Sequence, residues 1–153
     1  MVFDKNMKIS IVSGESEGPS PLNAFDNALL KAGIGDVNLI KVSSMLAGNT
    51  CIVDLPYLEP GSMVNCVLSE ITSTTPGDKI TACVCVAIGE QLGCVSEYSS
   101  VEESEETVKS KCREMTQYMM DVRGVEIKEL ISESSTHIVE KCGSSIVSVV
   151  YNK

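Results

Sequence analysis

Two adjacent serines near the end of a strand-like run are the residues of this chain best suited to chemistry. Ser43 and Ser44 follow residues 37–42, where aliphatic and β-branched side chains predict a β-strand. The Ser44 hydroxyl can attack the carbonyl of Ser43 and turn the peptide bond into an ester. β-Elimination from that ester leaves a new N-terminus with a ketone in place of an amine. The pair therefore indicates a self-cleavage site between residues 43 and 44.

Serine pairs also occur at residues 99–100, 134–135 and 144–145, so the pair needs support from its surroundings. That support comes from residues 18–26 (GPSPLNAFD), 32–35 (AGIG), 37–40 (VNLI) and the dipeptide Glu97-Tyr98. With these segments, the chain resembles the pyruvoyl-dependent arginine decarboxylases from about residue 8 to residue 151. It departs from them after the serine pair, where residues 45–50 (MLAGNT) stand in place of frequent prolines, and after Tyr98, where a serine pair replaces a glycine.

The resemblance implies one domain over residues 1–153, cut into a β chain of residues 1–43 and an α chain of residues 44–153. It implies a pyruvoyl cofactor made from Ser44, which forms a Schiff base with L-arginine and accepts electrons as carbon dioxide leaves, so that agmatine is the product. Asn38 matches an active-site asparagine of the family. The implied fold is an αββα sandwich, and the implied assembly is a homo-trimer with sites between subunits.

Glu97, Asp26 and Asn38 are the candidate residues around this chemistry. Glu97 is an acidic residue in an otherwise strand-like run, and a carboxylic acid with a raised pKa suits protonation of the carbanion at Cα. Asp26, on a predicted helix, suits a guanidinium because a carboxylate accepts two parallel hydrogen bonds. Asn38 could donate to the oxyanion formed during cleavage. From the residues alone, other interpretations remain open. Glu97 could be a charge at a strand end, Asp26 a solvated helix aspartate, and Asn38 an asparagine that satisfies a turn.

Composition restricts the class of protein. A net charge of −9 with only two arginines argues against a nucleic-acid surface. Seven cysteines without paired Cys-x-x-Cys clusters predict no metal site, and Cys83 and Cys85 are expected to be small buried hydrophobes on one strand face. No apolar run predicts a membrane span or a signal peptide, so reducing cytoplasm is the expected compartment. His137 is expected at the surface or at a strand end.

The elements that position these residues follow from turns, caps and periodicity. A strand is predicted from residue 7 to residue 12, then a loop over 14–19 and a helix over 20–32 with Ser20 as N-cap and Gly33 beyond its end. Further strands are expected near 37–43, 50–54, 62–73, 79–88, 93–98, 125–139 and 144–151. The second helix is expected to open at Ser100 with a capping box to Glu103 and to end at Gly124. Its buried stripe should comprise Val101, Val108, Cys112, Met115, Met119 and Val122.

Two helices among many strands predict an α+β sandwich in a single domain. Two other functions fit the same features. One is the same chemistry on another amino acid, ornithine or histidine. A histidine site would have less use for a carboxylate with the reach of Asp26. The other is an oligomeric binding or scaffold protein that keeps the fold without processing.

Overall fold

A computed structural model describes residues 7–152 of the chain. The elements in chain order are β1 (Lys8–Glu17), α1 (Pro21–Lys31), β2 (Asn38–Lys41), β3 (Met45–Ala47), β4 (Cys51–Ile52), β5 (Met63–Ser73), β6 (Lys79–Ile88), β7 (Leu92–Val101), α2 (Glu105–Val122), β8 (Glu129–Ile138) and β9 (Gly143–Asn152). No helix within 7–152 is long and apolar enough to cross a membrane.

The strands form two sheets that face each other. The first sheet has the order β2-β5-β9-β1-β4, and the second has the order β3-β7-β6-β8. Helix α1 contacts β1, β9 and β5 of the first sheet, and α2 contacts β6, β7 and β8 of the second. The molecule is therefore an α+β structure consistent with the predicted sandwich. Apolar side chains of both sheets meet in the core between them, including Val67, Val84, Val95 and Val149.

Helix α1 has the predicted caps. The Ser20 hydroxyl accepts a hydrogen bond from the Asn23 backbone N–H, Pro21 opens the helix, and Gly33 follows its end with φ +87°. Strand β1 is longer than predicted, because residues 14–17 continue the pairing with β9 instead of forming a loop. Position 14 of this strand requires glycine because a Cβ there would clash with the Ala28 carbonyl oxygen of α1.

Helix α2 begins later than predicted. Ser104 is its N-cap, whereas Ser100 lies in β7, where its hydroxyl donates to the Glu103 carboxylate without opening a helix. The buried stripe consists of Val108, Cys112, Thr116 and Met120. The prediction was right for Val108 and Cys112 and wrong for Val101, Met115 and Val122, which are exposed, while Met119 is partly buried. The polar side chain of Thr116 is tolerated in this stripe because its buried hydroxyl donates to the Cys112 carbonyl at 3.0 Å.

The other boundaries differ by a few residues. Strand β8 begins at Glu129 rather than near residue 125, and the short strand β3 was not predicted. Cys83 and Cys85 are fully buried under α2, as predicted, where they pack with Val108 and Cys112. All seven cysteines are unpaired.

Candidate active site where the chain crosses between the sheets

Residues 42–44 carry the chain from one sheet to the other. Strand β2 is an edge strand of the first sheet, and β3 is an edge strand of the second. The Val42 N–H still donates to the Cys66 carbonyl of β5 at 2.9 Å, whereas the Ser44 carbonyl accepts from the Val95 N–H of β7 at 2.9 Å. The bond between Ser43 and Ser44 therefore lies at the crossing point, with backbone contacts to a different sheet on each side.

Ser44 has an uncommon backbone conformation. Its φ is +96°, a value that L side chains rarely adopt and that costs of order 1 to 3 kcal/mol. Such a conformation persists only where neighbouring contacts hold it. At Ser44 one such contact is the hydrogen bond from the Val95 N–H. The serine predicted to be the nucleophile is thus also a strained residue.

Glu97 lies in β7, two residues beyond Val95. Side chains alternate along a strand, and Val95 is buried in the core between the sheets, so Glu97 is on the same side as Val95 and faces the first sheet. The hydroxyl of Ser69 in β5 donates to the Tyr98 carbonyl at 3.1 Å and brings the two sheets together next to Glu97. Glu97 therefore lies two residues along β7 from Val95, the residue whose N–H binds the Ser44 carbonyl.

The electrostatic setting of Glu97 suits a proton donor. Although the residue is partly open to solvent, desolvation by the surrounding protein raises the pKa of its carboxyl group. The positive charge of Lys41 acts in the opposite direction, and the negative charge of Glu70 raises the pKa further. Both charges come from the first sheet. A carboxylic acid with a raised pKa retains its proton closer to neutral pH.

Tyr151 reaches the same crossing from the first sheet. Its hydroxyl donates to the Met45 carbonyl at 2.9 Å, so it contacts the residue directly after Ser44. The ring packs against the core between the sheets. Burial raises the pKa of the Tyr151 hydroxyl to about 12.

Asn38 lies at the other end of β2. Its side-chain amide donates to the Gly61 carbonyl at 3.0 Å, and its backbone N–H donates to the Ser62 carbonyl at 2.8 Å. Five residues of extended chain separate Asn38 from Ser43, which corresponds to roughly 16 Å along the strand. Within one chain, Asn38 is therefore not brought to the serine pair, and its side chain satisfies the loop before β5.

Asp26 is exposed on α1, while the neighbouring Phe25 packs inward, as the helical spacing predicts. Within residues 7–152, its carboxylate makes no hydrogen bond or ion pair. Helix α1 covers β1, β9 and β5, not the edge at which the chain crosses. The structure thus leaves Asp26 available to another molecule but does not bring it to Ser44 in the same chain.

His137 lies next to the end of β8, as predicted, and is paired. Its Nε2 is 2.6 Å from the Glu17 carboxylate of β1. Burial acts to raise the pKa of Glu17, but hydrogen bonds from the Lys141 N–H, His137 and the N–H groups of Cys142 and Glu140 lower the pKa to about 2. Glu17 therefore fastens the turn between β8 and β9 to the first sheet, away from the serine pair.

A cavity of about 540 Å³ lies elsewhere and does not enclose the candidate residues. Its lining includes Tyr57, Glu59, Met63 and Tyr151, but not Ser44, Glu97 or Asp26. Within residues 7–152, no three His, Cys, Asp or Glu side chains are grouped as metal ligands would be. The candidate site in a single chain is thus an open edge.

The sequence motifs led to Ser44 and Glu97 but not to Tyr151. A tyrosine near the end of a β-strand is ordinary, and neither its neighbours nor its spacing indicates a contact with Met45. Such a contact depends on the packing of the two sheets, which no local pattern reveals.

Comparison with known proteins agrees with these motifs. The family model for pyruvoyl-dependent arginine decarboxylase matches residues 8–153. The pyruvoyl-dependent arginine decarboxylase of Methanothermobacter thermautotrophicus is 61% identical over 145 residues, which cover 95% of this chain and 96% of the relative. That of Methanocaldococcus jannaschii is 43% identical over 141 residues, with 88% and 83% covered. That of Pyrococcus furiosus is 36% identical over 151 residues, with 94% and 93% covered.

Proposed function

The chain belongs to the pyruvoyl-dependent arginine decarboxylase family, and from this we propose that it cleaves itself between Ser43 and Ser44 and converts L-arginine to agmatine and carbon dioxide. The observation that carries the proposal is the position of Ser44. A strained serine lies where the chain crosses between the sheets, and its carbonyl is bound by Val95 of β7, two residues before Glu97, a carboxyl group with a raised pKa.

Maturation would begin with attack of the Ser44 hydroxyl oxygen on the Ser43 carbonyl carbon, which moves the acyl group from nitrogen to oxygen. Elimination of the ester then leaves a carboxylate on Ser43 and a dehydroalanine at position 44. Addition of water and loss of ammonia turn that residue into the pyruvoyl group. The strain at Ser44 favours the reaction because the rearrangement releases it.

The residues present fit this cofactor. The Ser44 carbonyl, which would become the amide carbonyl of the pyruvoyl group, already accepts a hydrogen bond from Val95. The group supplies an electron sink when the carboxylate of the substrate leaves as carbon dioxide. Glu97 would deliver a proton to Cα of the product, a role that desolvation favours because it raises the pKa of this carboxyl group.

Substrate recognition would require a second subunit. Asp26 and Asn38 match family positions, yet both lie away from the serine pair of their own chain. A homo-trimer with sites between subunits would bring Asp26 of one chain to Ser44 of the next, where its carboxylate can pair with the guanidinium. Exposed apolar side chains on α1 and β2 support such contacts: Leu22 is 73% exposed, Leu30 49% and Ile40 44%.

Intact mass spectrometry of the purified protein tests maturation. The wild type should consist of two chains, residues 1–43 and 44–153, whereas Ser44→Ala should stay whole because no hydroxyl is available to attack. Ser43→Ala is the matched control and should still be cut, since it keeps the Ser44 hydroxyl. A fully active, uncut wild type would refute the proposal and favour the unprocessed scaffold.

Mixing two impaired variants tests whether the site is shared, with rates measured at an arginine concentration well below the raised KM of Asp26→Asn. Asp26→Asn and Glu97→Gln each damage one half of a site. If the halves come from different subunits, random mixing of equal amounts should restore roughly a quarter of the sites. If both residues serve the same chain's site, mixing should restore no activity.

The closest alternative is the same chemistry on ornithine or histidine. Rates on arginine, ornithine and histidine with the wild type decide among them. A preference for either of the other two would reject arginine while leaving self-cleavage untouched.

A further inference from the structure

Tyr151 links the first sheet to the edge strand of the second. Val147 and Val149 of β9 lie in the core between the sheets, and strand alternation puts Tyr151 on the same side. Its hydroxyl donates to the Met45 carbonyl at 2.9 Å. The first sheet therefore holds β3 one residue beyond the cleavage position.

Strand β3 needs such support because it has three residues and lies at the edge of its sheet. Among the strands of residues 7–152, it pairs only with β7. After a cut at Ser43, β3 would follow a new chain terminus directly, and termini are poorly ordered unless they are tied down. The hydrogen bond from Val95 holds residue 44 from the second sheet, and the one from Tyr151 holds residue 45 from the first.

Tyr151 also stays a hydrogen-bond donor across the neutral range. Burial raises the pKa of its hydroxyl to about 12, so the proton is retained well above neutral pH. The ring is half-buried and packs with the core. Loss of the hydroxyl alone would leave that packing in place.

We propose that Tyr151 is a positioning residue whose hydroxyl fixes the Met45 carbonyl and thereby the orientation of residue 44, the carrier of the reactive group in the mature enzyme. It acts through the backbone of β3 and not on the substrate. The consequence for turnover rests on the proposed function, whereas the restraint on β3 does not.

Tyr151→Phe removes this one oxygen, and Tyr118→Phe is the matched control because Tyr118 is 70% exposed on α2. Loss of one ordinary hydrogen bond corresponds to roughly a five- to tenfold change. Amide hydrogen exchange in a peptide covering residues 45–47 should accelerate by that factor in Tyr151→Phe and not in the control. In the processed enzyme, kcat should fall by a similar factor while KM for arginine stays within about twofold, because the guanidinium contacts are unchanged.

The same exchange measurement on uncut chains, Ser44→Ala with and without Tyr151→Phe, makes the test independent of maturation. Faster exchange confined to residues 45–47 supports the proposal. Unchanged exchange there, a uniform increase over the whole chain, failure of Tyr151→Phe to fold, or an unchanged kcat in the processed variant would each overturn it. If the wild type neither cuts itself nor acts on arginine, the proposed function fails, and exchange in the uncut pair still decides the role of the hydroxyl.

Discussion

Replacement of Ser44 by glycine and by alanine separates the two properties of this residue. Neither variant has a hydroxyl, so both should remain uncut. They differ in backbone cost, because φ is +96° and an alanine there keeps the strain that a glycine escapes. From a strain of about 1 to 3 kcal/mol, less about 0.5 to 1 kcal/mol for the extra freedom of unfolded glycine, Ser44→Gly should be more stable by about 1 kcal/mol.

Urea unfolding at equal protein concentration measures the difference. With a slope near 2 kcal/mol/M, the midpoint of Ser44→Gly should lie about 0.5 M above that of Ser44→Ala. Ser110, inside α2, provides the control in the Ser44→Ala background. There glycine should be less stable than alanine by about 1 kcal/mol, the opposite sign, because helical φ suits alanine. An alanine at position 44 that equals or exceeds glycine in stability would refute the strain argument.

Four further predictions concern acidic residues. Glu97→Gln should still form a Schiff base with arginine that borohydride can trap, while turnover falls by about 10² or more. Glu70→Gln should shift the limb of the pH–rate profile that Glu97 sets to lower pH, because removing the negative charge of Glu70 lowers the pKa of Glu97. Asp26→Asn should raise KM for arginine about 10- to 100-fold in steady-state kinetics while cleavage is unchanged. Glu17→Gln should cost about 1 to 2 kcal/mol of unfolding free energy at neutral pH, after allowance for solvent screening.

The pH dependence of the Glu17 effect has a definite sign. Its folded pKa of about 2 lies below the ordinary 4.5, so its stabilisation is fully present above pH 4.5 and is lost as the pH falls towards 2. Unfolding curves of wild type and Glu17→Gln should therefore converge in that window, and a constant gap would contradict the assignment. Turnover within a few-fold of wild type in Glu97→Gln would point to another acid, and an unchanged KM in Asp26→Asn would remove Asp26 from substrate binding.

Much of the fold follows from local signals in the sequence. Ser20, Pro21 and Gly33 bound the first helix by their own capping chemistry, and the nearly continuous apolar run over residues 79–88 marks β6, which is buried along almost its whole length. Residues 14–17 read as a loop because glycine and polar residues favour turns, yet β9 offers them a complete ladder of partners. Strand β3 has too few residues for a periodic pattern.

The candidate site was predictable where one motif carries the chemistry and not where distant elements meet. The serine pair and the acid in a strand-like run identify Ser44 and Glu97. Their proximity depends on the chain passing from the first sheet to the second after β2. No sequence pattern in residues 42–44 predicts this change of sheet. The same holds for Asp26 and Asn38, because a sequence motif does not indicate whether its residues lie at the site of their own chain or at the site of a neighbouring subunit.

The position of β1 has a consequence for the life of the protein. Strand β1 is paired on both sides, with β9 and with β4, so residues 1–43 would contribute this interior strand and the edge strand β2 to a sheet whose other strands come from residues 44–153. A cut in the crossing segment would separate them covalently but leave them interlocked. Folding before the cut is a unimolecular search, whereas a denatured mature enzyme would have to find its partner fragment by collision. If the chain is cut at this bond, the cut enzyme would refold less readily than the uncut chain folds, and it would persist because it unfolds slowly.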